Sequence, residues 1–331
     1  MTEILVSCVG ENAPTWHHKM ENLVLSVRLL GGSISGARFI VNVVEKVDPD
    51  FERRMARWDA EVRVVSRVDP RLPVANKLHA LDLAATESFD TMLMLDCDVV
   101  VVGDVGPELP TDRLRGLPAG RSHITPEAWS RLYAGLDVPE PPQSWTLSVS
   151  GERSHPYINS GVLFLPHQVC TPLRASWYEH MQWLLGPAGI ELLGRPVHRD
   201  QIPLALTLAT LGLDVDPLPI NLNLSTTAAL PVPPAYKHQQ GPPFILHYHR
   251  SIGADGFLTR SPRRMANPWL EQFNQARAEA LGVPYPGLGS LSARRRVSAF
   301  LKERGWSARV PKRLRGQRPK RAQERPAGSS S

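Results

Sequence analysis

The stretch TMLMLDCDVVVVGDV, residues Thr91–Val105, decides the fold of this chain. Two carboxylates, Asp96 and Asp98, interrupt an apolar run that extends from Met92 to Val102. An apolar run of this length predicts a strand that is buried on both faces of a parallel sheet. An ionised carboxylate inside such a strand is costly unless a cation or hydrogen-bond donors compensate its charge.

The spacing of the two aspartates indicates a shared ligand. Side chains at positions i and i+2 of a strand point to the same side, so both carboxylates can bind one cation. The alternative is a polar turn at the end of a strand, where Asp is common. Because apolar sequence resumes directly after Asp98, we favour a metal or ligand site.

Composition describes an ordinary globular protein. The 331 residues are 42% hydrophobic and 21% charged, which is enough to bury a sizeable core. No apolar run is long enough to span a bilayer, and the first residues lack the features of a signal peptide. The three cysteines match no zinc or redox spacing. These features predict a reduced, cytoplasmic protein.

Charge divides the chain into two predicted units. Residues 290–331 contain 13 Lys and Arg against two acids, whereas the whole chain has a net charge of +6. We therefore predict one folded domain over residues 1–289 and a basic, largely disordered tail over 290–331. A short basic amphipathic helix at Ser292–Trp306 would let the tail lie on an anionic membrane surface at the inner face of the cell membrane. A solvated tail without a target is the alternative.

Hydrophobic periodicity predicts strands that alternate with helices. Strands are predicted at residues 3–9, 37–44, 62–65, 92–95, 162–165, 218–224 and 244–249. Helices are predicted at residues 17–30, 49–59, 74–86, 127–136, 173–185 and 202–211. This order predicts an α/β fold with a mostly parallel central sheet and helices on both faces. Ligands bind outside the carboxyl ends of such strands, so the loop after Val9 and the two aspartates are expected to share a pocket.

Other phosphate-binding and metal-binding motifs can be compared with the sequence. There is no GxGxxG after the first strand and no GxxxxGK[ST], and Val residues follow Asp98 where a calcium loop needs Asp and Gly. One rival is the DxDx[TV] motif of haloacid-dehalogenase-like phosphatases, which residues 96–100 match with Asp96 as the nucleophile. That family carries the motif on its first strand, whereas three strand–helix units precede it here. A phosphatase is the alternative function.

Five motifs occur in an order that resembles a known family. They are NKLHAL (Asn76–Leu81), LDCD (Leu95–Asp98), INSGVLF (Ile158–Phe164), RDQ (Arg199–Gln201) and ILHYH (Ile245–His249). The order is similar to that of the glycogenin-like glycosyltransferases, which include bacterial lipopolysaccharide galactosyltransferases. The resemblance covers residues 3–270. It implies the GT-A fold, Mn²⁺ or Mg²⁺ as cofactor, and retaining transfer of a hexose from a nucleotide-diphosphate sugar, usually UDP-linked, to a glycan or lipid-linked acceptor.

The resemblance implies a set of metal ligands. Asp96 and Asp98 match the family's DxD motif, and His247 matches its third metal ligand. Two carboxylates and an imidazole suit Mn²⁺, which accepts oxygen and nitrogen ligands. A cation there would neutralise charge on the departing diphosphate.

Contacts to the nucleotide sugar are implied in the same way. Lys77 matches a basic residue that contacts the donor, and Cys8 and Asn12 align with the loop that reads the base. Gly10 stands where the family usually has an acidic residue, with Glu11 beside it.

Three further residues match positions near the sugar. Asn159 matches a residue that touches the donor sugar, while Asp200 and Gln201 match the pair near the anomeric carbon. Asp is also favoured at helix N-caps, so Asp200 is expected to do both. No Asp or Glu stands out as the base that an inverting enzyme needs, which favours retaining transfer.

The sequence departs from the family after the third metal ligand. Where the family has a Gly-containing turn and Lys-Pro-Trp, this chain has His249-Arg250-Ser251. Arg250, a predicted nucleotide-sugar-binding residue, or Arg263 would supply the missing positive charge. His249 is interpreted as an ordinary strand histidine, with a hydrogen bond from His249 to the diphosphate as the alternative. A non-catalytic nucleotide-sugar-binding protein is a further alternative, whereas nucleic-acid binding through the tail is disfavoured because the remainder of the chain is acidic.

Overall fold

The computed structural model describes residues 2–109, 112–193, 200–227, 232–239 and 241–288. The predicted tail and its helix lie outside these residues, as does Arg199. The division of the chain at residue 289 therefore stays a prediction.

In the first part of the chain, strands alternate with helices as the periodicity predicts. The elements are β1 (Ile4–Glu11), α1 (Pro14–Leu30), β2 (Arg38–Val44), α2 (Pro49–Ala56), β3 (Ala60–Val65), α3 (His79–Asp82), β4 (Thr91–Leu95), β5 (Val99–Val101), β6 (Leu114–Pro118) and α4 (Pro126–Gly135). The start of α2 is fixed by Asp48, whose carboxylate accepts a 2.7 Å hydrogen bond from the backbone N–H of Asp50.

In the second part, long elements are mixed with short ones. The elements are β7 (Trp145–Thr146), β8 (Arg153–Ser154), β9 (Ile158–Pro166), α5 (His167–Leu185), α6 (Pro187–Leu193), α7 (Gln201–Thr210), β10 (Val215–Pro217), β11 (Leu224–Ser225), β12 (Ile245–His247) and α8 (Asn267–Leu281). None of the helices in the described residues is both long and apolar enough to cross a membrane.

The central sheet has the strand order β10-β6-β9-β4-β1-β2-β3. Strands β4, β1, β2 and β3 are parallel to one another, and β10 is parallel to β6. Strand β9 lies between these two groups and is antiparallel to both β4 and β6. The predicted mostly parallel sheet is confirmed.

Helices cover both faces of this sheet. Successive side chains of a strand point to opposite faces, and in β4 Leu93 packs with α1, α2 and α8, whereas Met92 packs with α5 and α7. Since both faces are buried, the strands read as apolar runs rather than as alternating patterns. The α/β layering that the sequence predicts is therefore present.

The predicted continuous strand around the two aspartates is wrong. Strand β4 ends at Leu95, and the chain turns through residues 96–98 before β5 pairs antiparallel with β12 in a second sheet of order β11-β12-β5. The backbone N–H of Asp96 donates to the carbonyl of Gly161 at 2.8 Å, which fixes the turn at the carboxyl end of β4. Apolar sequence resumes after Asp98 because it enters another sheet.

Several other elements differ from the sequence prediction, and the short strands β6, β7, β8 and β10 and the helix α6 have no predicted counterpart. The helix predicted at 74–86 consists of two 3₁₀ segments, Pro73–Leu78 and Leu83–Ala85, that flank the single turn α3. The strand predicted at 218–224 is a 3₁₀ turn, Ile220–Leu222, followed by β11, because Pro219 lacks the N–H that a ladder needs. Helix α8 was not predicted, although Pro at its start and Gly282 with φ +65° after its end are recognisable signals.

Candidate active site

Two cavities meet at the turn that follows β4. The larger has a volume of about 550 Å³ and the smaller about 290 Å³, and Asp96 and Asp98 line both. The smaller cavity also contains the end of β1, including Gly10 and Glu11, together with Trp16. This position outside the carboxyl ends of β1 and β4 is where parallel sheets bind ligands.

Side chains from distant parts of the chain line the larger cavity. Asn159 comes from β9, Gln201 begins α7, and His247 ends β12. His249 and Arg263 follow β12 and line the same cavity. The predicted metal ligands therefore lie around one space with Asn159 and Gln201, whereas Asp200 lines the smaller cavity.

Lys77 is the centre of a buried ionic cluster. Its Nζ lies 3.2 Å from Asp96 Oδ1 and 2.9 Å from Asp200 Oδ2, and it donates to Ser160 Oγ at 3.0 Å. The Ser160 hydroxyl in turn donates to Asp200 Oδ2 at 2.7 Å. The Lys77 side chain is only 13% exposed, so solvent screens these contacts weakly. The cluster joins the turn at residues 96–98, called the aspartate turn below, to the start of α7.

Charge balance within this cluster shifts two pKa values. Burial alone would lower the pKa of Lys77, but the carboxylates of Asp96 and Asp200 outweigh it and raise that pKa above the ordinary lysine value. Burial would raise the pKa of Asp200, yet the Lys77 ammonium and the Ser160 hydroxyl lower it to about 2. Both groups are charged at neutral pH.

Asp98 leads a second chain of polar contacts. Its Oδ1 lies 3.1 Å from His247 Nε2, and His247 Nδ1 lies 3.2 Å from Asn223 Oδ1. The amide nitrogen of Asn223 donates to Asn159 Oδ1 at 3.1 Å, which turns its own oxygen towards His247. On the other side, Lys19 Nζ lies 3.4 Å from Asp98 Oδ2.

This chain of contacts tests whether the residues suit a cation. An amide oxygen accepts, so Asn223 holds the proton of His247 on Nδ1. The unprotonated Nε2 then faces the Asp98 carboxylate, and two acceptors 3.1 Å apart need a proton or a cation between them. Outer hydrogen bonds of this kind orient metal-binding histidines. The donor set suits a divalent cation.

The two aspartates of the turn titrate differently. Burial raises the pKa of Asp96, and the negative charge of Asp98 adds to this effect, although Lys77 opposes it. Burial would raise the pKa of Asp98 as well, but His247 and Lys19 lower it below the usual range. Asp98 therefore carries the firmer negative charge of the two.

Close packing at Gly161 holds several of these groups together. A Cβ placed there would lie 2.7 Å from His247 Cε1 and 2.9 Å from both Asn159 Oδ1 and Asp96 Oδ2. Only glycine leaves room for this approach, and its backbone N–H donates to Asn159 Oδ1 at 2.9 Å. The Asn-Ser-Gly sequence thus brings Asp96, Asn159 and His247 to one point.

His249 has an unusual conformation beside this point. Its φ is +54°, in the left-handed region that residues other than glycine seldom adopt. Its ring stacks on His247 with centroids 3.9 Å apart, and its Nε2 lies 3.0 Å from Ser225 Oγ. Burial, together with the adjacent His247, lowers the pKa of His249 to about 3. One ligand atom from each of Asp98, His247 and His249 lies within 4.8 Å of the other two. The expectation that His249 is an ordinary strand residue is wrong, because β12 ends at His247.

Three predicted nucleotide-binding residues, Cys8, Asn12 and Arg250, line neither cavity. Cys8 lies inside β1 and is buried in the core, and Asn12 Oδ1 accepts from His17 Nε2 and from the backbone N–H of Asp48. Arg250 is exposed and lines neither cavity, whereas Arg263 lines the larger one. The neighbouring Val9 and Gly10 border the smaller cavity.

Asp200 does not cap α7 with its side chain. It is the N-cap residue of α7 by position, but its side chain makes no capping hydrogen bond, because Lys77 and Ser160 occupy it. Its backbone carbonyl accepts from Trp177 Nε1 at 2.8 Å, which anchors the start of α7 to α5.

Sequence reasoning missed several residues of the site. Lys19, Ser160 and Asn223 contact the predicted residues but match no motif that assigns them a role. Glu11 was considered only for base recognition, yet it pairs with Arg67 at 2.8 Å and accepts from Asn76 at 3.1 Å. The serine and glycine after Asn159 were the available signal for the close approach at this point.

Comparison with known proteins identifies the class. The chain belongs to the family described as the Rhodobacterales glycosyltransferase domain, whose model matches residues 32–212, more than half of the chain. The matched region thus includes β4, the turn at residues 96–98, β9 and the start of α7.

Two solved structures are similar at 13% sequence identity. One is mouse xyloside xylosyltransferase 1 in its apo form, with a TM-score of 0.45, covering 76% of this chain and 99% of that chain. The other is the apo structure of the bifunctional glycosyltransferase WbbM, with a TM-score of 0.47, covering 83% of this chain and 52% of that chain. Among curated proteins, none matches.

Proposed function

We propose that this glycosyltransferase is glycogenin-like, and that it transfers a hexose from a nucleotide-diphosphate sugar, UDP-linked in our proposal, with retention at the anomeric carbon. A divalent cation, Mn²⁺ or Mg²⁺, would be held by Asp96, Asp98 and His247. The observation that carries the proposal is the Asp98–His247 pair at the junction of the two cavities, with the His247 proton held away on Nδ1 by Asn223. When bound there, the cation would supply charge that stabilises the departing diphosphate.

The two cavities could hold different parts of the nucleotide-sugar donor. The smaller one is bordered by strand-end backbone, by Trp16 and by Lys77, which suits a nucleoside. The larger one has room for a sugar and an acceptor hydroxyl, and Asn159 and Gln201 line it. A donor that spans both cavities would place its diphosphate beside Asp96 and Asp98.

The acidic residues of the larger cavity support retention. Among the described residues that line it, Asp96 and Asp98 are the acidic ones, and both are engaged by cationic or imidazole groups. Neither has the free carboxylate that an inverting enzyme uses as its base. Gln201 would position the acceptor from the larger cavity, and Asp200, fixed by Lys77 in the smaller cavity, would act from the diphosphate side of the anomeric carbon. Catalysis would then depend on electrostatic stabilisation of the diphosphate.

The test needs no acceptor at first. The full-length protein is expected to hydrolyse one of a panel of UDP-, GDP- and dTDP-sugars slowly, and only with Mn²⁺ or Mg²⁺ present. Once an acceptor is found, the proton coupling constant at the new linkage should show the α configuration of the donor. A β linkage from an α donor would rule out retention. Hydrolysis of a generic phosphate monoester, with Asp96 trapped by beryllofluoride, would instead favour the phosphatase alternative.

Arg263 is expected to supply the positive charge that the family obtains from its Lys-Pro-Trp segment. Its side chain is nearly buried and lines the larger cavity, whereas Arg250 is exposed and lines neither. Arg263→Gln should raise the KM for the donor by roughly 10-fold, the effect of one charge-assisted contact. Arg250→Gln is the matched variant. A rise in KM with Arg250→Gln alone would assign the contact to Arg250.

The basic tail is expected to bring the protein to an anionic membrane surface, where a lipid-linked acceptor would lie. Each basic residue near such a surface contributes on the order of 1 kcal/mol. Full-length protein should sediment with anionic vesicles at low salt, and a version that ends at Gly289 should not. Vesicles of neutral lipid are the control. Equal sedimentation of both versions, or none, would leave the tail without this role.

A further inference from the structure

His249 is a cavity residue that the proposed ligand set leaves unused. Strand β12 ends two residues earlier, and the chain then places His249 in the left-handed region with φ +54°. Glycine or asparagine would adopt this conformation with less strain. A strained residue that lines a cavity points to a function for its side chain.

The ring of His249 is held in a defined position. It stacks on His247 with an interplanar angle of 23°, and its Nε2 lies 3.0 Å from Ser225 Oγ. A hydroxyl at that distance can hold one ring nitrogen and leave the other for a ligand. The arrangement parallels His247, whose Nδ1 is held by Asn223.

Distances place His249 within reach of the same cation. One ligand atom from each of Asp98, His247 and His249 lies within 4.8 Å of the other two. Asp96, by contrast, has Lys77 Nζ at 3.2 Å from its Oδ1. The imidazole of His249 therefore lies within reach of a cation that Asp98 and His247 would hold.

We propose that His249 is a further protein ligand of the divalent cation, and that the resulting site with two imidazoles selects Mn²⁺ and similar borderline metals over Mg²⁺. The inference rests on the proposed cation site. Imidazole nitrogen suits transition metals, whereas Mg²⁺ prefers carboxylate, carbonyl and water oxygens. A neutral imidazole also leaves more positive charge on the cation than a third carboxylate would, which favours a diphosphate.

Two variants separate the ligand role from the backbone. His249→Asn removes the imidazole, and asparagine tolerates a positive φ, so the loop should keep its conformation. His249→Gly relieves the backbone fully. His123→Asn is the control, because His123 lines the same cavity but is outside the cluster of ligand atoms.

The test measures Mn²⁺ binding to the full-length protein by electron paramagnetic resonance, with and without UDP. Pulsed spectra should show nitrogen couplings from two imidazoles in the wild type and in His123→Asn, but from one in the two His249 variants. Mn²⁺ affinity should fall by roughly 10- to 100-fold in the His249 variants, the range for losing a supporting group at a metal site. Mg²⁺ affinity, measured by competition, should change much less.

The outcomes distinguish this inference from the proposed transfer. One imidazole in the wild type, or equal Mn²⁺ affinity in wild type and His249→Asn, overturns the role of His249 even if transfer is observed. Two imidazoles without any sugar turnover support His249 and contradict the proposed function. No Mn²⁺ binding, with or without UDP, overturns both.

Discussion

Asp98→Ala is expected to reduce metal-dependent donor turnover by roughly 10³-fold or more, since loss of a single charge-stabilising group at an active site already costs 10²–10³. The Asp98 carboxylate lies 3.1 Å from His247 and 3.4 Å from Lys19, and it lines both cavities. Without it, the proposed cation would lose its most firmly ionised ligand. Asp98→Asn should lose nearly as much, because an amide keeps the shape but not the charge.

The fold should survive this change. Asp98 is one of the charges that raise the pKa of Asp96, so its removal relieves repulsion while it breaks the contact to His247. We expect a change in unfolding free energy within about 1 kcal/mol, typical of a substitution without cavity formation. Turnover and thermal unfolding are measured together, with Asp214→Ala as the control, because Asp214 is exposed and lines neither cavity. Full activity of Asp98→Ala, or of the wild type with a chelator, would contradict the metal assignment.

The parallel half of the sheet was predictable because its signals are local. Each apolar run from β1 to β4 is followed by a helical or polar segment of ordinary length, so periodicity identifies both. The antiparallel direction of β9 was not predictable, since a buried strand reads the same in either direction. The break at Leu95 was hidden for a similar reason: β5 is as apolar as β4, although it belongs to another sheet.

The candidate site was predictable where short motifs carry it. The two cavities are lined by seven of the predicted residues: Lys77, Asp96, Asp98, Asn159, Asp200, Gln201 and His247. Cys8 lies at neither cavity because its side chain is buried in the core beside β1. Asn223 and Lys19 could not be found, because their contacts join residues that are 24 and 79 positions apart in the chain.

The position of His249 shows where the alternation pattern of a strand misleads. Alternation placed His247 and His249 on the same face of one strand, and their rings are in fact adjacent. The adjacency arises differently, because a left-handed residue after the strand end folds the second ring back over the first. Histidine is not a residue type that indicates a positive φ, so the sequence does not predict this backbone conformation.

Lys77→Met is expected to lower the unfolding free energy by roughly 3 kcal/mol, the cost of removing one partner from a buried ion pair. The ammonium contacts Asp96, Asp200 and Ser160, and the side chains of the two acids are 32% and 18% exposed. Methionine fills the same volume but leaves both carboxylates close together without a cation. A loss of this size corresponds to a fall in Tm of roughly 5–10 °C.

The pH dependence of this effect follows from the two pKa shifts. Asp200 has its pKa lowered to about 2, so its stabilisation is present above the unfolded value of about 3.9 and is lost as pH falls through about 2. Lys77 has a raised pKa, so its stabilisation is present below about 10.4 and is lost as pH rises through the folded value. In the wild type the contribution of this pair should therefore be constant from about pH 4 to pH 10. In Lys77→Met, burial raises the pKa of the uncompensated carboxylates, so the difference between the two proteins should shrink as the pH falls from neutral.

A double substitution separates the ion pair from simple packing. Asp200→Asn removes one of the two uncompensated charges, so Lys77→Met with Asp200→Asn should be less destabilised than the sum of the two single variants. Urea unfolding at neutral pH gives the four free energies, and Lys46→Met is the control because Lys46 is exposed. If the two changes add without coupling, or if Lys77→Met unfolds like Lys46→Met, then the charge of Lys77 does not hold the aspartate turn to α7.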